Sequence, residues 1–182
     1  MTDGYETVVY DLDGTLVELD VDWDTVRAET VGALRARDVD VDDGSLWAVL
    51  ERAETTGYRR LVHEIIAEHE REGARTSRRL DLADELPLSG PVAVCSLNCE
   101  AACRIALELH GLDGYVDAIV GRDTVETVKP EPEPLLHAIA AAGGDPREAL
   151  FVGDTERDAR TAERAGVSFQ YVSERTRTDR PQ

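Results

Sequence analysis

Lysine is almost missing from this 182-residue chain: 19 of its 20 basic residues are arginine, and the exception is Lys129. Basic residues as a class are scarce, 20 against 38 acids, which leaves a formal charge of −18. So acidic a surface argues against nucleic acid as a partner, because a phosphate backbone is held by clustered Lys and Arg. The acids are not a tail: residues 17–88 hold 18 acids and 10 bases, and the remainder 20 and 10. A self-repelling surface is relieved where salt screens it. With abundant Asp, Glu and Thr, this points to a halophilic source. Long apolar runs are missing too. None approaches the roughly 20 residues that a bilayer-spanning helix needs, so no membrane partner is expected. Met1–Tyr5 lacks the basic and apolar regions of a secretory leader, and the expected location is the cytoplasm. Cysteine occurs three times, at 95, 99 and 103. The odd number argues against a disulfide framework, and the spacing matches neither zinc-ribbon nor common iron–sulfur patterns. The three read as buried apolar positions, Cys95 on a strand and the others on the helix after it. There is no internal repeat, and no feature sets an oligomeric state.

What is present is enough apolar residue, 42 %, for a packed core. Short apolar runs at 5–10, 91–95, 115–120, 148–152 and 167–172 read as strands. Helical patterns at 98–110, 132–142 and 155–165 lie between most of them. The first places Ala102, Ile105, Ala106 and Leu109 on one face, with Gly111 as its stop. Alternating strands and helices predict an α/β fold with a doubly wound, parallel, Rossmann-like sheet. The interval 17–88 breaks this alternation. It contains no convincing buried strand, but helical patterns at 23–37, 45–55 and 58–72. Trp23, Val26, Thr30 and Leu34 recur at helical spacing in the first, behind Asp22 as N-cap. Leu61, Val62, Ile65 and Ile66 mark the third. The acidic stretch 38–44 reads as a loop, and the polar tail 173–182 as frayed.

The segment Val8-Val9-Tyr10-Asp11-Leu12-Asp13-Gly14-Thr15-Leu16 carries the strongest chemical signal. A buried strand ends in two carboxylates, and Gly14 permits a sharp turn. Paired acids at a strand's carboxyl end are costly unless positive charge sits among them. In a parallel sheet that end is where ligands bind. The lone lysine, in Val128-Lys129-Pro130-Glu131-Pro132, invites a chemical explanation.

Four segments together resemble the haloacid dehalogenase-like hydrolase superfamily: Asp11–Leu16, Val92–Ser96, Lys129–Glu133 and Phe151–Asp158, the last a strand followed by GDxxxD. They occur in the family's order over nearly the whole chain. Within the family the likeness is to phosphoglycolate phosphatase-like phosphatases with a small helical cap. It implies an α/β core of residues 1–16 and 89–182 and an inserted α-helical cap of residues 17–88, with residues 11–22 as hinge and flap.

The resemblance also implies the chemistry. Asp11 would attack phosphorus and form an aspartyl-phosphate. Asp13 would protonate the leaving oxygen and then activate water; clustered acids raise one pKa, which suits that work. Lys129 would pair with Asp11 and the phosphoryl group as a compact cation. The implied cofactor is Mg²⁺, held by the Asp11 and Asp154 carboxylates and the Asp13 main-chain carbonyl, with Asp158 supporting. Thr155-x-x-Asp158 also reads as a capping box, and both roles are compatible. Ser96, Leu97 and Asn98 would surround the phosphoryl oxygens, although Asn98 also fits as N-cap of the next helix. Thr15 would brace the loop with its hydroxyl. His63, His69, His110 and His137 lack ligand spacing and read as ordinary helix residues. Arg59, Arg60 and Arg75 fit either a substrate's anionic tail or a solvated helix face. Asp13 favours phosphoryl transfer over dehalogenation. The expected activity is hydrolysis of a small phosphorylated metabolite. A phosphomutase and a catalytically silent binding module remain as alternatives.

Overall fold

Five short apolar segments lie side by side as one sheet. In this computed structural model, which describes residues 4–42 and 44–178, the strands are β1 (Thr7–Tyr10), β4 (Val92–Cys95), β5 (Ala118–Val120), β6 (Ala149–Gly153) and β7 (Ser168–Tyr171). Their order is β5-β4-β1-β6-β7 and every pairing is parallel, with Val8 opposite Val92 and Thr7 opposite Ala149. Successive side chains on a strand face opposite sides, and both sides are covered. Val8, Tyr10, Val94 and Val152 pack toward α4 (Glu100–Leu109), while Val9, Ala93, Cys95 and Phe151 pack toward α5 (Glu133–Ala141) and α6 (Glu156–Ala165). The sheet is the predicted doubly wound α/β arrangement, and no described helix is long and apolar enough to cross a membrane.

The interval between β1 and β4 carries α1 (Trp23–Arg35), α2 (Leu46–Thr56) and α3 (Arg59–Arg75). Asp22 does cap α1, accepting from the Asp24 and Thr25 amides. Val26, Val31, Leu34, Val49, Val62 and Ile66 form a separate apolar cluster among these helices. Trp23 does not join it: the residue begins α1 and is exposed. Residues 38–42 form no regular element, yet Val39 and Val41 are buried in the same cluster. Asp43 lies outside the described residues.

Four expectations are corrected. Val17 is a buried strand residue after all, in a two-residue strand β2 (Val17–Glu18) antiparallel to β3 (Arg78–Arg79). Two residues are too few to show a period of two, so the pattern hides it. Helix α4 buries Cys103 and Leu107 beside Ala102 and Ala106, while Leu109 is exposed. Ile105 is partly buried against the same cluster, so the apolar face is shifted toward Cys103 and Leu107 and only Leu109 leaves it. Residues 115–117 precede the fifth strand, and a 3₁₀ turn occupies Asp113–Tyr115. Finally, residues 173–178 are not frayed but belong to α7 (Val172–Thr178). Arg175 reaches back to Glu85 with Nε donating at 2.7 Å and to Gln170 with Nη1 donating at 3.1 Å. Glu85 in turn accepts from the buried Tyr10 hydroxyl at 2.9 Å. Residues 179–182 lie outside the described part.

Candidate active site

The carboxyl ends of β1, β4 and β6 meet below α1–α3, around a cleft of about 1380 Å³. Asp11 follows β1 directly. Its amide continues the ladder by donating to the Val152 carbonyl at 2.9 Å, and its carboxylate accepts from the Leu12 amide at 2.7 Å. Gly14 then turns the chain at φ 78°, and the Gly14 amide donates to the Val17 carbonyl at 2.8 Å. A Cβ at Gly14 would collide with the Asp154 carboxylate. Glycine is needed there for the backbone angle, and it also leaves the Asp154 carboxylate its room beside the turn.

Lys129 comes from the loop before α5 and is 2 % exposed. Its Nζ lies 3.1 Å from Asp11 Oδ2 and 2.5 Å from Asp158 Oδ1. Burial alone would push its proton off; the two carboxylates outweigh that and hold it charged, above its ordinary pKa. Asp11 moves up to about 7, chiefly by burial, against the pull of Lys129 and with a push from Asp158. Asp13 also rises: burial dominates over the amide of Leu19, which donates to Oδ1 at 2.8 Å. Asp158 is fully buried and shares in a complete capping box with Thr155 at the start of α6.

Asp11, Asp154 and Asp158 each offer a carboxylate oxygen, and the three oxygens lie within 4.8 Å of one another. Hard oxygen donors at this spacing fit a small divalent cation such as Mg²⁺. Asp158 is otherwise committed, to Lys129 and Thr155, whereas Asp154 is exposed to the cleft. The Asp13 carboxylate is outside this group.

Ser96 directly follows β4 and lines the cleft with Leu97 and Asn98. Its hydroxyl donates to Asn98 Oδ1 at 3.0 Å. Asn98 is not the N-cap of α4; that position is Cys99, which makes no side-chain cap bond. Thr15 is fully buried and its hydroxyl has no hydrogen-bond partner, so the expected brace is absent. It does not line the cleft. The cysteines are free and buried, Cys95 on β4, Cys99 capping and Cys103 within α4; burial pushes the Cys95 thiol up to about 12.

Other lining residues come from α1–α3. His63 lines the cleft, and burial with the nearby Arg122 and Arg59 charges lowers its pKa. His69 bonds Glu29 and His110 bonds Ser77, and neither histidine lines the cleft. Arg59 lines the cleft and lies 3.3 Å from Glu54; Arg75 pairs with Glu72 outside it. Arg157 of α6 stacks 3.9 Å from the ring centre of Trp47, bridging the cleft between α6 and α2. Two charged residues at the site escape the sequence reading. Glu70, on α3, is 1 % exposed, and Arg122, after β5, donates to it with Nη1 at 2.6 Å and Nη2 at 2.9 Å. The available signal was positional: Glu70 continues the Val62–Ile66 stripe at a further step of four.

Residues 82–172 match the family model of haloacid dehalogenase-like hydrolases. A phosphoglycolate phosphatase of Aquifex aeolicus is 30 % identical over 172 residues, 88 % of this chain and 81 % of that protein. The pyrophosphatase PpaX of Bacillus cereus is 33 % identical over 123 residues, and the match spans 65 % of this chain and only 54 % of that relative. Among solved structures, a subfamily IA hydrolase of Geobacter sulfurreducens aligns with TM-score 0.60 at 25 % identity, over 91 % of this chain and 88 % of its own.

Proposed function

Because the chain belongs to the haloacid dehalogenase-like hydrolase family, we propose that it is a Mg²⁺-dependent phosphatase that hydrolyses a small phosphomonoester through an aspartyl-phosphate. One observation carries this reading. Asp11, Lys129 and Asp158 come from three separate stretches of chain and form one buried chain of charges, with Asp154 beside it. Such a cluster is expensive to bury for stability alone, and it opens onto the cleft.

Asp11 is the nucleophile. Its carboxylate oxygen bonds to phosphorus as the bond to the leaving oxygen breaks. Lys129, 3.1 Å away, keeps the nucleophile oriented and offsets charge on the phosphoryl oxygens. Asp13, whose pKa burial raises, gives a proton to the leaving oxygen. Asp13 then takes a proton from water as that water attacks phosphorus, releasing phosphate and restoring Asp11. Asp11, Asp154 and the Asp13 main-chain carbonyl would hold Mg²⁺, which when bound neutralises substrate charge. Asp158 anchors Lys129 and the start of α6. Ser96 and Asn98 contact the phosphoryl oxygens, and Leu97 closes that turn. Helices α1–α3 act as a cap, residues 17–88, on a core of residues 1–16 and 89–182. Closure over the cleft excludes water.

The test is phosphate release from p-nitrophenyl phosphate and a panel of phosphorylated metabolites, 2-phosphoglycolate among them, with Mg²⁺ at high salt. Asp11→Asn should lose at least about 10³-fold in kcat while the fold is kept. Undiminished turnover by that variant would overturn the assignment. Phosphoryl transfer between substrates without net release would favour a mutase.

A further inference from the structure

Helix α3 does more at this site than roof it. Val62 and Ile66 on its inner face are apolar and buried, and the next residue on that stripe is Glu70. A carboxylate in that position is costly unless fully partnered. Its partners are unusually local. Arg122 clasps it with two nitrogens, the Cys99 amide donates to Oε2 at 2.9 Å, and Asn98 Nδ2 donates to Oε1 at 3.3 Å. Arg122 Nη1 also donates to the Leu97 carbonyl at 2.8 Å. The pair therefore touches three successive residues of the turn after β4.

Arg122 is itself fixed. Its amide donates to the Asn98 carbonyl at 2.9 Å, and Asp123 accepts from the Glu100 amide at 2.8 Å. Gly121 lets the two loops touch, because a Cβ there would strike the Glu100 backbone. The consequence falls on Asn98. An amide side chain can sit either way round unless its neighbours decide. The Glu70 carboxylate only accepts, so it draws the NH₂ end. Oδ1 is thereby turned to the Ser96 hydroxyl. The amide has a second N–H, and Asn98 lines the cleft.

We infer that Glu70 and Arg122 are a positioning pair that fixes the donor direction of the Ser96–Asn98 turn toward a bound phosphoryl group. The inference rests on the phosphatase reading above. Without Glu70 the Asn98 amide is free to turn its oxygen toward an anion, which repels it. Neither partner touches the reacting atoms; the pair acts through Asn98.

The experiment compares the full chain with Glu70→Gln and with the double variant Glu70→Met/Arg122→Met. The first keeps shape but loses the charge and turns one of the two accepting oxygens into a donor; the second removes both charges and leaves no lone buried ion. Binding of inorganic phosphate with Mg²⁺ is read from tryptophan fluorescence, since Trp23 and Trp47 both line the cleft. Thermal midpoints and the split of KM from kcat on p-nitrophenyl phosphate are measured alongside. Both variants should bind phosphate about 10-fold more weakly, with a matching rise in KM, and the double variant should keep a midpoint near that of the parent. Recovery of phosphate affinity together with stability in the double variant would show a structural pair only and overturn the inference, as would unchanged affinity in Glu70→Gln. A parent chain that neither binds phosphate nor turns over p-nitrophenyl phosphate would instead overturn the phosphatase reading.

Discussion

Asp11 is nearly shut off from water, and the close cation beside it is the chain's single lysine, 3.1 Å away. Burial raises its pKa to about 7 despite that partner, well above the usual carboxylate value near 4. The sign follows. With a folded-state pKa raised over the unfolded one, Asp11 favours the metal-free fold at low pH, and that contribution is lost as pH climbs through about 7. A divalent cation needs the ionised carboxylate. Stabilisation by Mg²⁺ should therefore grow by up to about 1.4 kcal/mol per pH unit below 7 and level off above it. Thermal midpoints with and without Mg²⁺ from pH 5 to 8 check this; a shift that does not vary with pH contradicts it. Residues of this kind were legible because their chemistry is rare in their setting: paired acids at a strand end, and one lysine among arginines. Glu70 was not legible. It is one of 38 acids, and only its place on a buried stripe distinguishes it. Thr15 was misjudged because a hydroxyl beside a turn looks like a brace, yet it is buried without a partner.

At the scale of elements, apolar runs announce β1, β4, β5 and β6, since strands covered on both faces need mostly apolar side chains, while the edge strand β7, SFQY, is half-exposed and alternates polar with aromatic residues. Elements held by a distant partner do not announce themselves. Helix α7 has a polar sequence, VSERTRT, and Arg175 ties it to Glu85, 90 residues away. Arg175→Ala leaves Glu85 facing the buried Tyr10 hydroxyl alone. The expected cost is about 2 kcal/mol, a fall in thermal midpoint of roughly 4–8 °C at this size. Turnover at low temperature should be unchanged, as Arg175 does not line the cleft. A midpoint equal to that of the parent would show that the tie contributes nothing. Strands β2 and β3 are the other missed elements, because a two-residue ribbon carries no period to read.

The whole molecule carries 18 more acids than bases. Exposed pairs such as Arg71–Glu64 and Arg75–Glu72 offset little of this, for a surface pair contributes only about 0–1 kcal/mol and salt weakens it. Screening of the general repulsion should win. Raising KCl from about 0.1 to 2 M, where the screening length falls below about 3 Å, should raise the midpoint by at least about 4 °C, or 1–2 kcal/mol. A flat or falling midpoint over that range would remove the case for salt adaptation. Charge and strand order are properties of the entire chain, and so is the site, which exists only because the end of β1, the start of α6 and the loop before α5 bring Asp11, Asp158 and Lys129 together. The most direct test of that convergence is to trap the intermediate. The chain is mixed with a ³²P-labelled phosphomonoester and Mg²⁺, quenched in acid, reduced with borohydride and mapped by mass spectrometry. The account predicts alkali-labile phosphate on Asp11, with Asp11 converted to homoserine on reduction, and neither in Asp11→Asn. Steady phosphate release with no label on Asp11, or with label on another residue, would contradict it.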